Sequence, residues 1–216
     1  MTISVADWLA PVQSVSVGNT PVSKISIGNQ VVWTPFTPEL AIFTTAGAFT
    51  YNIPAGCSKI DVILLGAGAG GSNGGFGLAG EGGGAGLWLA VTLVRGVDIA
   101  WGITQITGTV GAGGTHAANK GNPGAATTAT ATGMTSLSGA GGPGRSGVGG
   151  VGNTGGLSPG NKTFGANPNP YVGGAATSDS AYGATGNAPG GGGTGGSGFA
   201  GPGGNGAPGA AWFYAY

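Results

Sequence analysis

Residues 66–86 read GAGAGGSNGGFGLAGEGGGAG, and the spacing of their glycines decides the fold. Taken every third residue, Gly68, Gly71, Gly74, Gly77, Gly80, Gly83 and Gly86 fall in one unbroken phase. A period of three belongs neither to the α-helix nor to the strand; it is the repeat of the left-handed, extended polyproline II conformation. Rods of that kind with glycine along one edge can approach closely enough to exchange backbone hydrogen bonds, which predicts a bundle of polyglycine II helices. Glycine fills 12 of these 21 positions, so the phase needs a second witness. Gly183, Gly186, Gly192, Gly195, Gly198, Gly201 and Gly204 supply it, broken by Pro189, whose fixed φ suits the same backbone. Gly141, Gly144, Gly147 and Gly150 form a third, shorter run. At ~3.1 Å per residue the first run is expected to reach ~56 Å and the second ~65 Å, side by side along most of their length. Collagen, the other triplet structure, needs more triplets and more proline between its glycines than this chain has.

Outward from that stretch the composition breaks sharply. Four of the 53 glycines lie in residues 1–65 and 49 in residues 66–216. Such a glycine content with low hydrophobicity would leave a chain disordered. Here mean hydropathy is positive, at +0.22, and apolar strands alternate with the glycine tracts, which predicts a folded object with ordered loops. Charged residues make up 6% of the chain, six basic against six acidic. A surface so poor in Lys and Arg neutralises few phosphates, so nucleic-acid binding is not expected. The single Cys57 supports neither a disulfide framework nor a thiolate metal site. MTISVADWLAP at residues 1–11 has no basic n-region and no continuous apolar h-region, so no signal peptide is expected. No run approaches the ~20 apolar residues of a membrane span, and a soluble chain without membrane insertion is the expectation.

The strands flank the tracts. AIFTT, AFTYNI and KIDVILL (within 41–65), LWLAVTLV and VDIAWGITQITGTV (within 87–110), TTATATGM and TSLS (within 127–138) and AWFYAY (within 210–216) give about eight short strands and no amphipathic helix. That pattern predicts an all-β fold: a β-sandwich in a domain at 39–216, with polyglycine II tracts 66–86 and 139–209 forming a second layer. Residues 1–38 read as a separate β anchor. There VQSVSVGNTPVSKISIGNQVVW alternates apolar and polar residues, with Val15 and Val17, Ile25 and Ile27, and Val31 and Trp33 on repeated faces. Gly18-Asn19 and Gly28-Asn29 are hairpin turn signals. Isolated hairpins are marginal in water, so this segment is expected to add its edge to a partner or to copies of itself, most simply as a trimer.

Chemistry-bearing motifs are few. Gly66-Ala67-Gly68-Ala69-Gly70-Gly71 satisfies G-x-G-x-x-G after a strand, but a dinucleotide site needs a helix next and an acid ~20 residues on. More glycine follows instead. Gly160-Asn161-Lys162-Thr163 resembles the end of a P-loop with an intruding Asn and no preceding strand, and reads as a polar turn; Asn161-Lys162-Thr163 also fits a glycosylation acceptor. His116 is the single histidine, so no triad or zinc site assembles around it. Asp61 and Asp98, near Lys59 and Arg95, are expected to form structural ion pairs at a sheet edge. No cofactor, metal or catalytic site is expected. Phe76, Phe164, Tyr171, Tyr182 and Phe199 stand isolated among small residues. They either plug gaps between rods or stand at rod turns as a contact surface for a carbohydrate or envelope component.

A family resemblance follows from FTTAGAFTYNIPAGCSKIDVILLGAGAGG, TLVRGVDIAWGITQITGTVGAGG, TTATATGM and PGAAWFYAY. From about Ala41 to Tyr216 the chain resembles the glycine-rich minor tail proteins of phages that infect mycobacteria and other actinobacteria, and TPVSKISIGNQVVW resembles their short anchor segment. The resemblance implies a virion component at the tail tip, made in the host cytoplasm, built in several copies among other tail-tip proteins. Its implied role is host attachment, the alternatives being a purely architectural spacer or, against the scarcity of acids, an envelope-degrading enzyme. More distantly the triplet rods are similar in architecture to tip adhesins of tailed phages of enteric bacteria, whose rod-connecting loops touch the receptor.

Overall fold

A computed structural model of the chain describes residues 12, 14–145, 148–149 and 154–216. Gly147 and Gly150 of the third glycine run, and the segment at 1–11, lie outside the described residues. Every regular element among the described residues is a strand. In chain order these are β1 (Ser16–Val17), β2 (Thr20–Pro21), β3 (Ile25–Ile27), β4 (Gln30–Trp33), β5 (Glu39–Phe43), β6 (Gly47–Asn52) and β7 (Lys59–Leu65), followed by β8 (Ala79–Gly80), β9 (Trp88–Val94), β10 (Gln105–Val110), β11 (Thr127–Thr130), β12 (Leu137–Gly139), β13 (Val148–Gly149) and β14 (Ala210–Ala215).

Two four-stranded antiparallel sheets form the body, ordered β5-β14-β7-β9 and β12-β11-β10-β6. Because side chains alternate across a strand, the first sheet turns Phe43, Phe213, Val62 and Leu93 to one face and Ile42, Trp212, Ile63 and Thr92 to the other, following the registers Phe213↔Val62, Trp212↔Ile42 and Trp212↔Ile63. Its inner face shares one apolar core with Phe49, Tyr51, Ile106 and Ala129 of the second sheet. Phe213 is the aromatic hinge of that core, with its ring 4.4 Å from Tyr51 and 5.7 Å from Phe49. Both faces of β7 are covered, which is why KIDVILL is a near-continuous apolar run and is buried from Ile60 onward. VDIAWGITQITGTV is a strand only in its second half. The chain turns from Arg95 to Ile103, where the Gly96 amide donates to the Ile99 carbonyl (2.8 Å) and Ile103 N to Ala100 O (3.0 Å).

Segment 66–75 runs straight out of β7 and is the axis of the glycine-rich half. Its amides donate in three directions, two of them with a partner step of three throughout; in the third the step is three from Ala125 to Asn122 and then five to Ala117, which accepts from Asn73. Gly66, Ala69, Ser72 and Gly75 donate to the carbonyls of Leu87, Gly84, Glu81 and Leu78; Ala67 and Gly70 to Ala125 and Asn122; Gly68, Gly71 and Gly74 to Ala207, Gly204 and Gly201. Three further segments donate to its carbonyls: Gly142 to Ala67, Gly114 to Gly68, and Gly193 and Gly196 to Ala69 and Ser72. One extended segment is thus tied to neighbours all round it, and residues 60–72 are buried without a break. Segment 190–197 repeats the arrangement. It donates to 154–157, to 66–75 and to Ala184, and accepts from Gly86, Gly83 and Gly80, and from Ala207 and Gly204.

The glycine phase has a direct physical cause. A methyl group on Gly68, Gly71 or Gly74 would fall on the carbonyls of Gly191, Thr194 or Ser197. On Gly80, Gly83 or Gly86 it would fall on Ser72, Ala69 or Gly66, and on Gly192 or Gly195 on Gly83 or Gly80. The phase read from the sequence is therefore the edge along which each segment presses on the next. The expected rod lengths are overturned. The chain reverses at Phe76 and Gly77, where Leu78 N and Gly75 O close the turn at 2.9 Å, and again at 187–191 and 197–201. The bundle is accordingly made of segments of about ten residues, ~30 Å each, folded back on one another. The phase passes through the turns, so the sequence period alone does not reveal them.

Candidate functional site: the outer turns of the bundle

The end of the bundle away from the sheets is formed by three turns, at 75–78, 178–182 and 197–201. Main-chain bonds lock them together: Gly77 N donates to Gly198 O (2.8 Å), Gly74 N to Gly201 O (3.0 Å), Gly201 N to Ser197 O (3.2 Å) and Gly183 N to Gly195 O (3.1 Å). Each turn carries one exposed aromatic side chain. Phe76 is 106% exposed, Phe199 94% and Tyr182 52%, so none of them fills a gap. Phe76 has φ +53°, and Ala200, next to Phe199, has φ +57°. A left-handed backbone is uncommon for a bulky residue and costs ~1–2 kcal/mol. The turn holds an aromatic outward at a position that would favour glycine or asparagine.

Between the turns lies a cleft of about 650 Å³, lined by Leu78, Thr154, Asp179, Ser180, Tyr182 and Phe199 together with Ser197 and glycine backbone. Asp179 is the charged residue among these. The Thr154 hydroxyl donates to the Asp179 carbonyl, and Gly155 N donates to Asp179 Oδ1 (2.6 Å). Beneath them Gly156 N donates to the Thr177 hydroxyl (2.7 Å). Behind the cleft, buried Thr194 donates to Ala181 O (2.8 Å). Aromatic surface, hydroxyls and one oriented carboxylate are the recognition chemistry present.

Of the five aromatics singled out, three meet at this end and two do not. Tyr171 is buried on the outer face of the first sheet, edge-on to Trp212 at 5.8 Å, and Phe164 packs against the same cluster. Segment 160–171 lies across that face and covers it, which removes Tyr171 from any contact surface. Asp61 grips this segment. Buried completely, it accepts from the Thr92 hydroxyl (2.6 Å), Ala166 N (2.8 Å) and the Tyr216 hydroxyl (3.3 Å). The expected ion pairs with Lys59 and Arg95 are replaced by these bonds. Asp98 Oδ2 instead accepts from Val94 N (2.8 Å), and Arg95 donates to the carbonyls of Ile103 (2.9 Å) and Trp101 (2.7 Å). Among the described residues the ion pair is Arg145 with Glu81.

His116 sits on the bundle with Nδ1 3.0 Å from Asn73 Oδ1. That oxygen already accepts from Gly203 N (3.0 Å), so the imidazole is the donor and its role is to stitch segments. Lys162 N and Tyr171 O pair at 2.9 Å, with Gly160 at φ +67° before them, so the P-loop-like run is a turn that starts the covering segment. After Gly71 the chain continues as the axial segment, without the helix a dinucleotide site requires. In the anchor, Val17, Ile27 and Val31 are exposed, whereas Val15, Ile25 and Trp33 are half-buried. Turns fall at Gly18 and Gly28, with φ +62° and +58°. Asp179, Ser180 and Thr154 were not singled out from sequence; the polar run Thr177-Ser178-Asp179-Ser180 ahead of Tyr182 is the turn signal that marks them.

This architecture defines an all-β protein with a bundle of glycine-rich segments. Residues 44–216 match the model of the glycine-rich domain family, and the chain belongs to that family. It is similar to the Gene 32 protein of Mycobacterium phage D29, at 47% identity over 110 residues, 50% of this chain and 49% of the relative. It is also similar to the Gene 32 protein of Mycobacterium phage L5, at 52% identity over 93 residues, 42% and 41% of the two chains. The chain spans about half the length of the curated relatives it matches. These likenesses make it a phage protein. Among the described residues no helix is long and apolar enough to cross a membrane.

Proposed function

We propose that this chain is a structural virion protein, a minor tail protein of the tail tip, that attaches the particle to the host cell surface. In this reading the two large sheets are a β-sandwich, the glycine-rich segments are polyglycine II helices, and their outer turns meet the cell envelope. The likeness to proteins of two mycobacteriophages supports the virion setting. The partner step of three along two bonding directions of segment 66–75, and at the start of the third, supports the helix type. The observation that carries attachment is the pair Phe76 and Phe199, fully exposed on turns that main-chain bonds hold rigid. Apolar groups on rigid turns are recognition elements. The action is mechanical and adhesive, without catalysis: Asp179 has hydroxyls around it and no second acid or base among the residues lining the cleft.

Residues 1–38 act as the anchor and join copies of the chain, as a homotrimer, to neighbouring tail-tip proteins. Val17, Ile27 and Val31 are exposed on hairpins too small to stand alone. Fluorescently labelled protein is expected to bind mycobacterial cells saturably; absence of binding at high concentration would leave only an architectural spacer. Particles assembled with a 1–38 deletion are expected to lack the protein, and its retention would sink the anchor role.

A further inference from the structure

We infer that the cleft between the outer turns is a binding site for an uncharged glycan, with a sugar ring laid against Phe199 and Tyr182 and its hydroxyls held by Asp179. This deepens the attachment reading and rests on it. A sugar presents an apolar C–H face and a rim of hydroxyls, so its site needs an aromatic plate next to oriented acceptors and donors. The cleft supplies both within about 650 Å³, the range of small-ligand sites and room for a short oligosaccharide.

Charge narrows the class. Asp179 is the charged residue of the lining, and Arg145, a cation elsewhere in the bundle, is paired with Glu81. A phosphate, sulfate or uronate would meet a carboxylate with no compensating cation in the lining, which is the repulsion that excludes a wrong partner. A lipid surface fits poorly for the same residue: acyl chains would strip water from a carboxylate. The site is also set in advance. Gly155 N fixes Asp179 Oδ1 at 2.6 Å, Thr154 fixes its carbonyl, and Gly77 N to Gly198 O at 2.8 Å fixes the turn before Phe199. Little ordering remains to be done on binding.

The test uses the full chain and saturation-transfer NMR with mannotriose, arabinotriose and maltotriose as neutral probes, trigalacturonate as an anionic probe, and phosphatidylcholine vesicles as a lipid probe. Transfer to at least one neutral trisaccharide is expected. Phe199→Ala and Asp179→Asn should each weaken it roughly tenfold with melting temperature unchanged, while Val97→Ala, remote and exposed, leaves it intact. Transfer to none of the three, or binding to trigalacturonate or vesicles alone, overturns the inference. Cell binding separates this from the broader reading. If labelled protein still binds cells whose glycans have been oxidised with periodate, the glycan site falls and attachment stands; if it binds no cells but does bind a neutral sugar, attachment falls and the site stands.

Discussion

At the scale of single residues, this protein is governed by where a side chain cannot go. Gly71 has the Thr194 carbonyl where its Cβ would be, and neither segment can retreat without breaking bonds to its other neighbours. Gly71→Ala is expected to cost about 3 kcal/mol, whereas Gly102→Ala, with nothing within 4 Å, should be neutral or stabilising by ~0.5 kcal/mol. Denaturant titration of the two variants checks the pair; equal loss would deny the close approach. Phe76 shows the reverse. Its left-handed φ of +53° makes Phe76→Asn a stabilising change of ~1 kcal/mol, read in the same titration. The stabilised variant is expected to bind cells less well, which is the signature of strain kept for contact.

Among elements, the covering segment 160–171 depends on one carboxylate. Asp61→Ala removes the acceptor of the Ala166 amide and of the Thr92 hydroxyl in a dry setting. The expected loss is ~2–3 kcal/mol, with the Ala166 amide losing hydrogen-exchange protection before the core strands do. If all amides lose protection together, the segment does not open on its own. Sequence reading reached unevenly into this scale. Strands such as KIDVILL and AWFYAY are legible because alternation and apolar runs report burial directly. The triplet phase is legible because each glycine marks a contact edge. The reversal at Phe76 is not, since phenylalanine is no turn signal and Gly77 keeps the phase. Nor is the partner of Asp61: it lies 105 residues away at Ala166, and near neighbours such as Lys59 suggest an ion pair that the buried hydroxyl and amide make unnecessary. Tyr171 looks like Phe76 in sequence, isolated among small residues, yet one is covered and the other bare because only one follows a segment that folds back over a sheet.

For the whole molecule, buried thiol and phenol groups set the response to alkaline pH. Burial, above all, pushes the Tyr51 phenol and the Cys57 thiol above their ordinary values of 10.0 and 9.0, and burial raises Tyr171 and Tyr216 likewise. Groups raised in the folded state keep their protons there and lose them first when unfolded. Their contribution to stability is fully present below about pH 9 and is lost as pH climbs through and beyond the ordinary thiol and phenol values. Chemical denaturation as a function of pH should therefore decline on the alkaline side, and Tyr51→Phe should make that decline shallower.

Because the bundle is joined mainly through main-chain amides and carbonyls, the identity of the residues on its outer turns is nearly independent of what keeps it standing. A library randomised at 76, 180, 182 and 199 would leave the internal lattice of main-chain bonds untouched, so most members should still fold. The same property lets a lineage replace its recognition surface one residue at a time while the framework that displays it stays constant.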